Sequence, residues 1–148
     1  MTLSKFVEKH LDTAVDFDGH YGAQCVDLVR QKWQEIDRIP QPEPTDTQGA
    51  AAFYFKHERR PIQRQHLNCI TYQPGMIPPP GAVVIFKATS KNPFGHIGIC
   101  IVANERAMEV FEQCGIENSK RLTEGRKQKG VYIGAWGYDR LLGWLIKR

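Results

Sequence analysis

The sequence changes periodicity once, at PGMIPPPG spanning 74–81, and that single switch restricts the folds open to the chain. Before it, apolar residues recur at helical spacing; after it, short apolar runs of strand length take over. Residues 3–11 carry Phe6, Val7 and Leu11 among charges and predict a short helix, and Val26, Val29, Trp33 and Ile36 predict the buried face of a second. Gly49–His57 predicts a further helix, while HERRPIQRQH reads as polar and irregular. IPQPEPTDTQG, with three prolines within five residues, predicts an extended loop within the domain. CITY is a brief strand. Downstream, AVVIF, HIGICIV and AMEVFEQ predict strands, the last two joined across NER as a hairpin, and VYIGAW and DRLLGWLIK predict a final strand pair. Helices followed by strands imply an α+β domain, its N-terminal helices packed on one face of an antiparallel sheet. A length of 148 residues suits a single domain, 1–148, without room for a second targeting module.

The densest chemistry lies in VDFDGHYGAQCVDL, which runs without a break into the second helix. Cys25 falls in that helix's first turn, where unpaired backbone N–H groups and the positive end of the macrodipole favour an anion. That is what a nucleophilic cysteine needs, although most free cysteines are simply small core hydrophobes. Gln24 precedes it, and a side-chain amide there can help a backbone N–H hold the oxyanion of an acyl-transfer intermediate.

The segment DFDGHYGAQCVDL resembles the nucleophile segment of the CHAP family, the cysteine- and histidine-dependent amidohydrolases and peptidases of bacteriophage lysins and bacterial wall hydrolases. GHIGICIV and EVFEQ are similar to the family's later pattern, a histidine opening a strand and an acid ending the next. The resemblance covers nearly the whole chain and implies a papain-like (NlpC-type) α+β fold. It also implies a triad of Cys25 as nucleophile, His96 as base and Glu112 as orienting acid, with Gln24 beside it. Glu109 lies three residues before Glu112 and should point to the opposite sheet face. Where many relatives carry an asparagine two positions after the acid, this chain has Cys114. The implied substrate is bacterial peptidoglycan, cut at an amide bond by an N-acetylmuramoyl-L-alanine amidase or an endopeptidase. Tyr21, Phe94 and Trp136 are candidates for groove lining. Two other classes stay open: a cysteine amidase acting on a small peptide conjugate, and a non-catalytic virion or wall-binding module.

Asp16, Asp18, His20, Gly22 and Asp27 occupy relative positions 1, 3, 5, 7 and 12, the spacing with which an EF-hand loop wraps calcium. The usual glycine at position 6 is Tyr21 and position 12 is Asp in place of Glu, two departures that argue against a true EF-hand. By resemblance to calcium-binding phage CHAP domains, the three aspartates supply carboxylates and His20 and Gly22 supply carbonyl oxygens. The alternative is a plain acidic turn capping the helix.

A formal charge of +4 mildly favours an anionic partner such as a wall polymer, but the basic residues are scattered apart from a denser patch at Arg121–Lys129, which reads as a solvated loop. The reading is therefore of a monomer without nucleic acid or membrane insertion. MTLSKFVEKHLD lacks the apolar region and cleavage site of a signal peptide, which predicts synthesis and folding in a host cytoplasm and, by the resemblance, action on the wall as a released or virion-borne lysin. On that reading Cys25, Cys69, Cys100 and Cys114 stay as free thiols.

Overall fold

The structure, a computed structural model, describes residues 1–44 and 46–148. Six strands form one antiparallel sheet in the order β1-β6-β2-β3-β4-β5, with β1 at Leu67–Thr71, β2 at Val83–Phe86, β3 at His96–Ala103, β4 at Met108–Glu112, β5 at Tyr132–Trp136 and β6 at Leu141–Lys147. The expected hairpin is present: β3 and β4 pair from Ala103↔Met108 inward, joined through Asn104–Ala107.

The predicted pairing of the last two strands is wrong. β5 lies at one edge beside β4, whereas β6 sits between β1 and β2. Burial explains the separation. Leu141, Trp144 and Leu145 make β6 apolar on both faces, which demands a central position, while β5 alternates half-buried and exposed residues as an edge strand does.

Helix α1, Leu3–His10, begins at Thr2, whose hydroxyl accepts the Lys5 N–H at 3.2 Å, and buries Phe6. Helix α2, Cys25–Lys32, continues into a π-helical turn over Trp33–Asp37 that ends on Arg38 in the left-handed conformation. Val29 and Trp33 are fully buried as the periodicity requires, joined by Leu28. Val26, at the half-buried start of α2, and Ile36, within the π turn that breaks the 3.6-residue rhythm, only pack at the margin. The same turn brings Lys32 and Asp37 together as a buried ion pair at 2.7 Å.

The stretch after the proline loop departs from expectation. Gly49–His57 is no single helix but a 3₁₀ turn, Gly49–Ala51, followed by the short α3, Ala52–Phe55. The supposedly irregular HERRPIQRQH forms a 3₁₀ turn, His57–Arg59, and α4, Pro61–His66. Pro61 suits the first helical position, and the carboxylate of Glu43 accepts the Ile62 and Gln63 N–H groups at 2.7 and 3.1 Å. That cap comes from the proline loop, so no local pattern announces it. Of that loop, Thr45 lies outside the described residues.

Two cores flank the sheet. Phe6, Leu28, Val29, Trp33 and Phe53 cover one face, packing on Ile97, Ile99, Phe111 and Leu145, which agrees with helices on a single face. The opposite face, with Val84, Phe86, Val110 and Trp144, is covered by Tyr72 and Met76 from the proline-rich crossover. A final helix, α5, Gly115–Thr123, not anticipated from the sequence, stands between β4 and β5, buries only Asn118 and takes in just the first three residues of the basic Arg121–Lys129 patch. Among the described residues no helix is long and apolar enough to cross a membrane.

Candidate active site

The three residues expected to form a triad come from three adjoining elements: Cys25 opens α2, His96 opens β3 and Glu112 closes β4. Antiparallel pairing of β3 with β4 brings the last two together, and Glu112 Oε1 lies 2.8 Å from His96 Nε2. That bond occupies Nε2, and the Cys25 thiol lies close enough to the ring to act on its pKa. Burial acts to lower the His96 pKa. The contacts with Cys25 and Glu112 outweigh it and raise the value to about 10. The raised value favours the imidazolium form of the ring at neutral pH.

Glu112 is 2% exposed, and a carboxylate so buried must have partners. Besides His96 it accepts the indole N–H of Trp136 on Oε2 at 2.6 Å and the Tyr132 hydroxyl on Oε1 at 3.4 Å. Glu109, three residues earlier, is exposed on the other side of the strand, as alternation requires. Trp136, a candidate for groove lining, is half-buried beside His96 and Glu112. Its ring stacks on His96 with centroids 5.1 Å apart and planes 13° from parallel, and Phe86 stacks behind it at 4.3 Å. Its role was not legible, because β5 reaches β4 only after α5 intervenes. Tyr21 and Phe94, the other groove candidates, are 83% and 51% exposed on the turns that lead into Cys25 and His96.

Gln24 caps α2, its backbone N–H donated to the Asp27 carboxylate at 2.9 Å. Its chain packs on Gly115, where a side chain would meet the Gln24 Cβ at 3.3 Å. Cys114, at the position where relatives carry asparagine, is the half-buried N-cap of α5. All four cysteines are free thiols. The preceding turn is strapped from the far side by residues the sequence did not single out: Gln113, Asn118, whose amide donates to the Ala23 carbonyl at 2.9 Å, and Gln128, whose carbonyl accepts the Ala23 N–H at 2.6 Å.

Asp16, Asp18 and Asp27 gather so that one carboxylate oxygen of each lies within 4.8 Å of the others. Asp27 is buried, and its pKa is pushed up to about 6, first by burial and then by repulsion from Asp18 and Asp16, against the opposing bond from the Gln24 N–H. A divalent cation would remove that repulsion, so the donor set suits a hard oxygen-seeking ion. His20 adds no side chain to the cluster; its N–H donates to Asp18 Oδ1 at 2.8 Å, and Gly22 follows Tyr21 in a left-handed turn. Asp18 and Asp27 also edge a cavity of about 510 Å³, walled by Phe17, Val26, Pro42 and Ile62 and open beside Gln24.

The CHAP domain family model matches residues 15–114, a span that holds Cys25, His96 and Glu112 alike. This chain belongs to the CHAP domain family. Among solved structures the CHAP fold is similar to endolysin LysIME-EF1, at 18% identity and a TM-score of 0.62, over 96% of this chain and 61% of that one. It is also similar to Ly7917, at 15% identity and a TM-score of 0.67, over 99% of this chain and 63% of that one. A structure of Ly7917 with the hydrolyzing product of MDP gives 16% identity and a TM-score of 0.63. The chain thus spans less than two thirds of the length of these proteins. Among curated proteins no sequence matches it.

The raised His96 pKa has a consequence for folding. A group whose pKa is higher folded than unfolded stabilises the native state fully below its unfolded value, here 6.5, and loses that contribution as pH climbs toward about 10. Glu112→Gln removes one of the causes. The stability gap between wild type and Glu112→Gln, read by chemical denaturation across pH, should be widest below 6.5 and shrink on the alkaline side. A gap that stays constant through that range would show that Glu112 does not support the imidazolium.

Proposed function

We propose that this CHAP domain is a peptidoglycan hydrolase that cuts amide bonds of the bacterial wall peptide through a thioester on Cys25. The observation that carries the reading is one histidine, His96, held between a buried carboxylate and the thiol that opens α2, inside the segment matched by the family. The likeness to a structure of Ly7917 with the hydrolyzing product of MDP supports the substrate class.

The chemistry follows from the residues. The Cys25 thiolate attacks the scissile carbonyl carbon while His96 holds the proton. The negative charge that gathers on the carbonyl oxygen faces the Cys25 backbone N–H and the Gln24 side-chain amide, donors placed at the helix start. The tetrahedral adduct collapses when His96 Nδ1 gives its proton to the leaving amine, so the C–N bond breaks and a thioester remains. Water then attacks that carbonyl as His96 takes its proton, releasing the carboxylic acid and returning the thiolate–imidazolium pair. Glu112 keeps the ring oriented and its positive charge supported throughout, and Trp136 covers one ring face.

Asp16, Asp18 and Asp27 would hold a calcium ion, with carbonyls of His20 and Gly22 completing the shell; its charge would offset their repulsion and stiffen the turn that leads to Cys25. The chain is taken to act as a monomer.

Digestion of defined peptidoglycan with identification of the new termini by mass spectrometry tests the reading and separates the two bonds. A free L-alanine amino terminus marks the amidase; a new terminus within the stem or cross-bridge marks the endopeptidase. Cys25→Ala should release nothing while melting as wild type does. Intact wall beside turnover of a small peptide conjugate would replace the substrate class, and persistent cleavage by Cys25→Ala would remove the nucleophile.

Calcium binding should raise stability by mass action, about 2.7 kcal/mol when free ion is a hundredfold above its dissociation constant. Chelation is expected to lower both melting temperature and hydrolysis, with magnesium a poor substitute and Asp18→Ala unresponsive. A calorimetric titration of chelator-stripped protein that shows no heat, with an unchanged melting point, would leave the turn as a helix cap alone.

A further inference from the structure

Glu112 is followed by Gln113, whose side chain is fully buried although it carries a primary amide. An amide removed from water must find partners for two donor hydrogens and a carbonyl oxygen. Gln113 finds all three on the backbone of one distant turn. Its Oε1 accepts the Val15 N–H at 2.6 Å, and its Nε2 donates to the Val15 carbonyl at 2.9 Å and to the Gln24 carbonyl at 2.7 Å. Val15 and Gln24 are the two ends of the turn that carries Asp16 and Asp18 and delivers Cys25 to the start of α2.

We propose that Gln113 is a positioning residue for the nucleophile: its amide cinches the Val15–Gln24 turn at its neck and so sets where Cys25 stands relative to His96. The inference rests on the reading of Cys25 as the nucleophile. Successive side chains at the end of a strand point to opposite sides. Glu112 therefore turns toward His96 and Trp136 while Gln113 turns toward Val15 and Gln24. Base and nucleophile are thus both referenced to one dipeptide, at the end of a strand paired on both sides by β3 and β5. Asn118 and Gln128 grip Ala23 but leave the Val15 limb untouched. Without the Gln113 amide the turn would keep its outer anchor and lose its neck, and Cys25 would pivot rather than unfold.

Gln113→Met keeps the side-chain length without its polar atoms, and Gln113→Glu keeps the acceptor for Val15 but presents an oxygen to two carbonyls. Val84→Ala, a cavity in the core on the opposite sheet face, serves as a control for lost stability alone. Each folded variant is assayed on solubilised peptidoglycan well below its own melting temperature. In parallel, the alkylation rate of Cys25 by iodoacetamide is followed by peptide mapping. Since a misplacement of about 1 Å can cost about a hundredfold in rate, kcat should fall at least about tenfold with KM held within about twofold. Cys25 alkylation should slow in step, and Val84→Ala should keep both near wild type at an equal loss of melting temperature. If either Gln113 variant folds and retains wild-type kcat and alkylation, or loses no more than the control, Gln113 is ordinary scaffold. Should wild type leave peptidoglycan intact, the substrate reading fails separately, and the alkylation rates alone decide the role of Gln113.

Discussion

A single buried carboxylate, that of Glu112, governs how the end of this sheet is built. Left alone it would carry a desolvation cost of several kcal/mol, so every neighbour is arranged as a partner. His96, Trp136 and Tyr132 share its two oxygens, and each comes from a strand held in register with β4 or reached through it. Position 134 has to be glycine, because a Cβ there would collide with Glu112 Oε2. Gly98, beside His96 on β3, is required in the same way by Val110 across the strand pair. The ring stack of Phe86, Trp136 and His96 then fixes the imidazole's plane.

The other half of the site is a turn and a helix, and these are held by polar contacts more than by packing. The Val15–Gln24 turn buries little; Asp18 and Tyr21 face solvent. Its conformation is dictated by left-handed residues at Gly19, Tyr21 and Gly22 and by amides on its inner side from Gln113, Asn118 and Gln128. A non-glycine residue such as Tyr21 held at φ +64° costs on the order of 1–2 kcal/mol, a strain that persists only because those bonds over-determine the turn. The acidic cluster of Asp16, Asp18 and Asp27 adds repulsion at the same place, in the segment that leads into Cys25.

What the sequence made legible was local. A cysteine after a polar turn at the start of a periodic helix, a histidine opening a strand after glycine, and an acid three residues beyond its exposed rival are each visible within a few positions, and they meet. The order of helices and strands likewise announced an α+β fold with helices on one face. What stayed hidden depends on partners far along the chain. The cap of α4 comes from Glu43, the amide at 113 bonds residues 98 and 89 positions away, and Trp136 meets Glu112 only because α5 loops out between β4 and β5. The place of β6 between β1 and β2 was likewise set by burial on both faces, which alternation within a single strand did not reveal.

The proposed chemistry requires Cys25 to form a covalent bond to the substrate carbonyl. Acid quenching of the enzyme during turnover, followed by mass spectrometry of its peptides, tests this most directly. The prediction is an acyl adduct on the peptide that contains Cys25, discharged by hydroxylamine and missing from Cys25→Ala. Hydrolysis that proceeds with Cys25 unmodified, or with the adduct on Cys114, would contradict it.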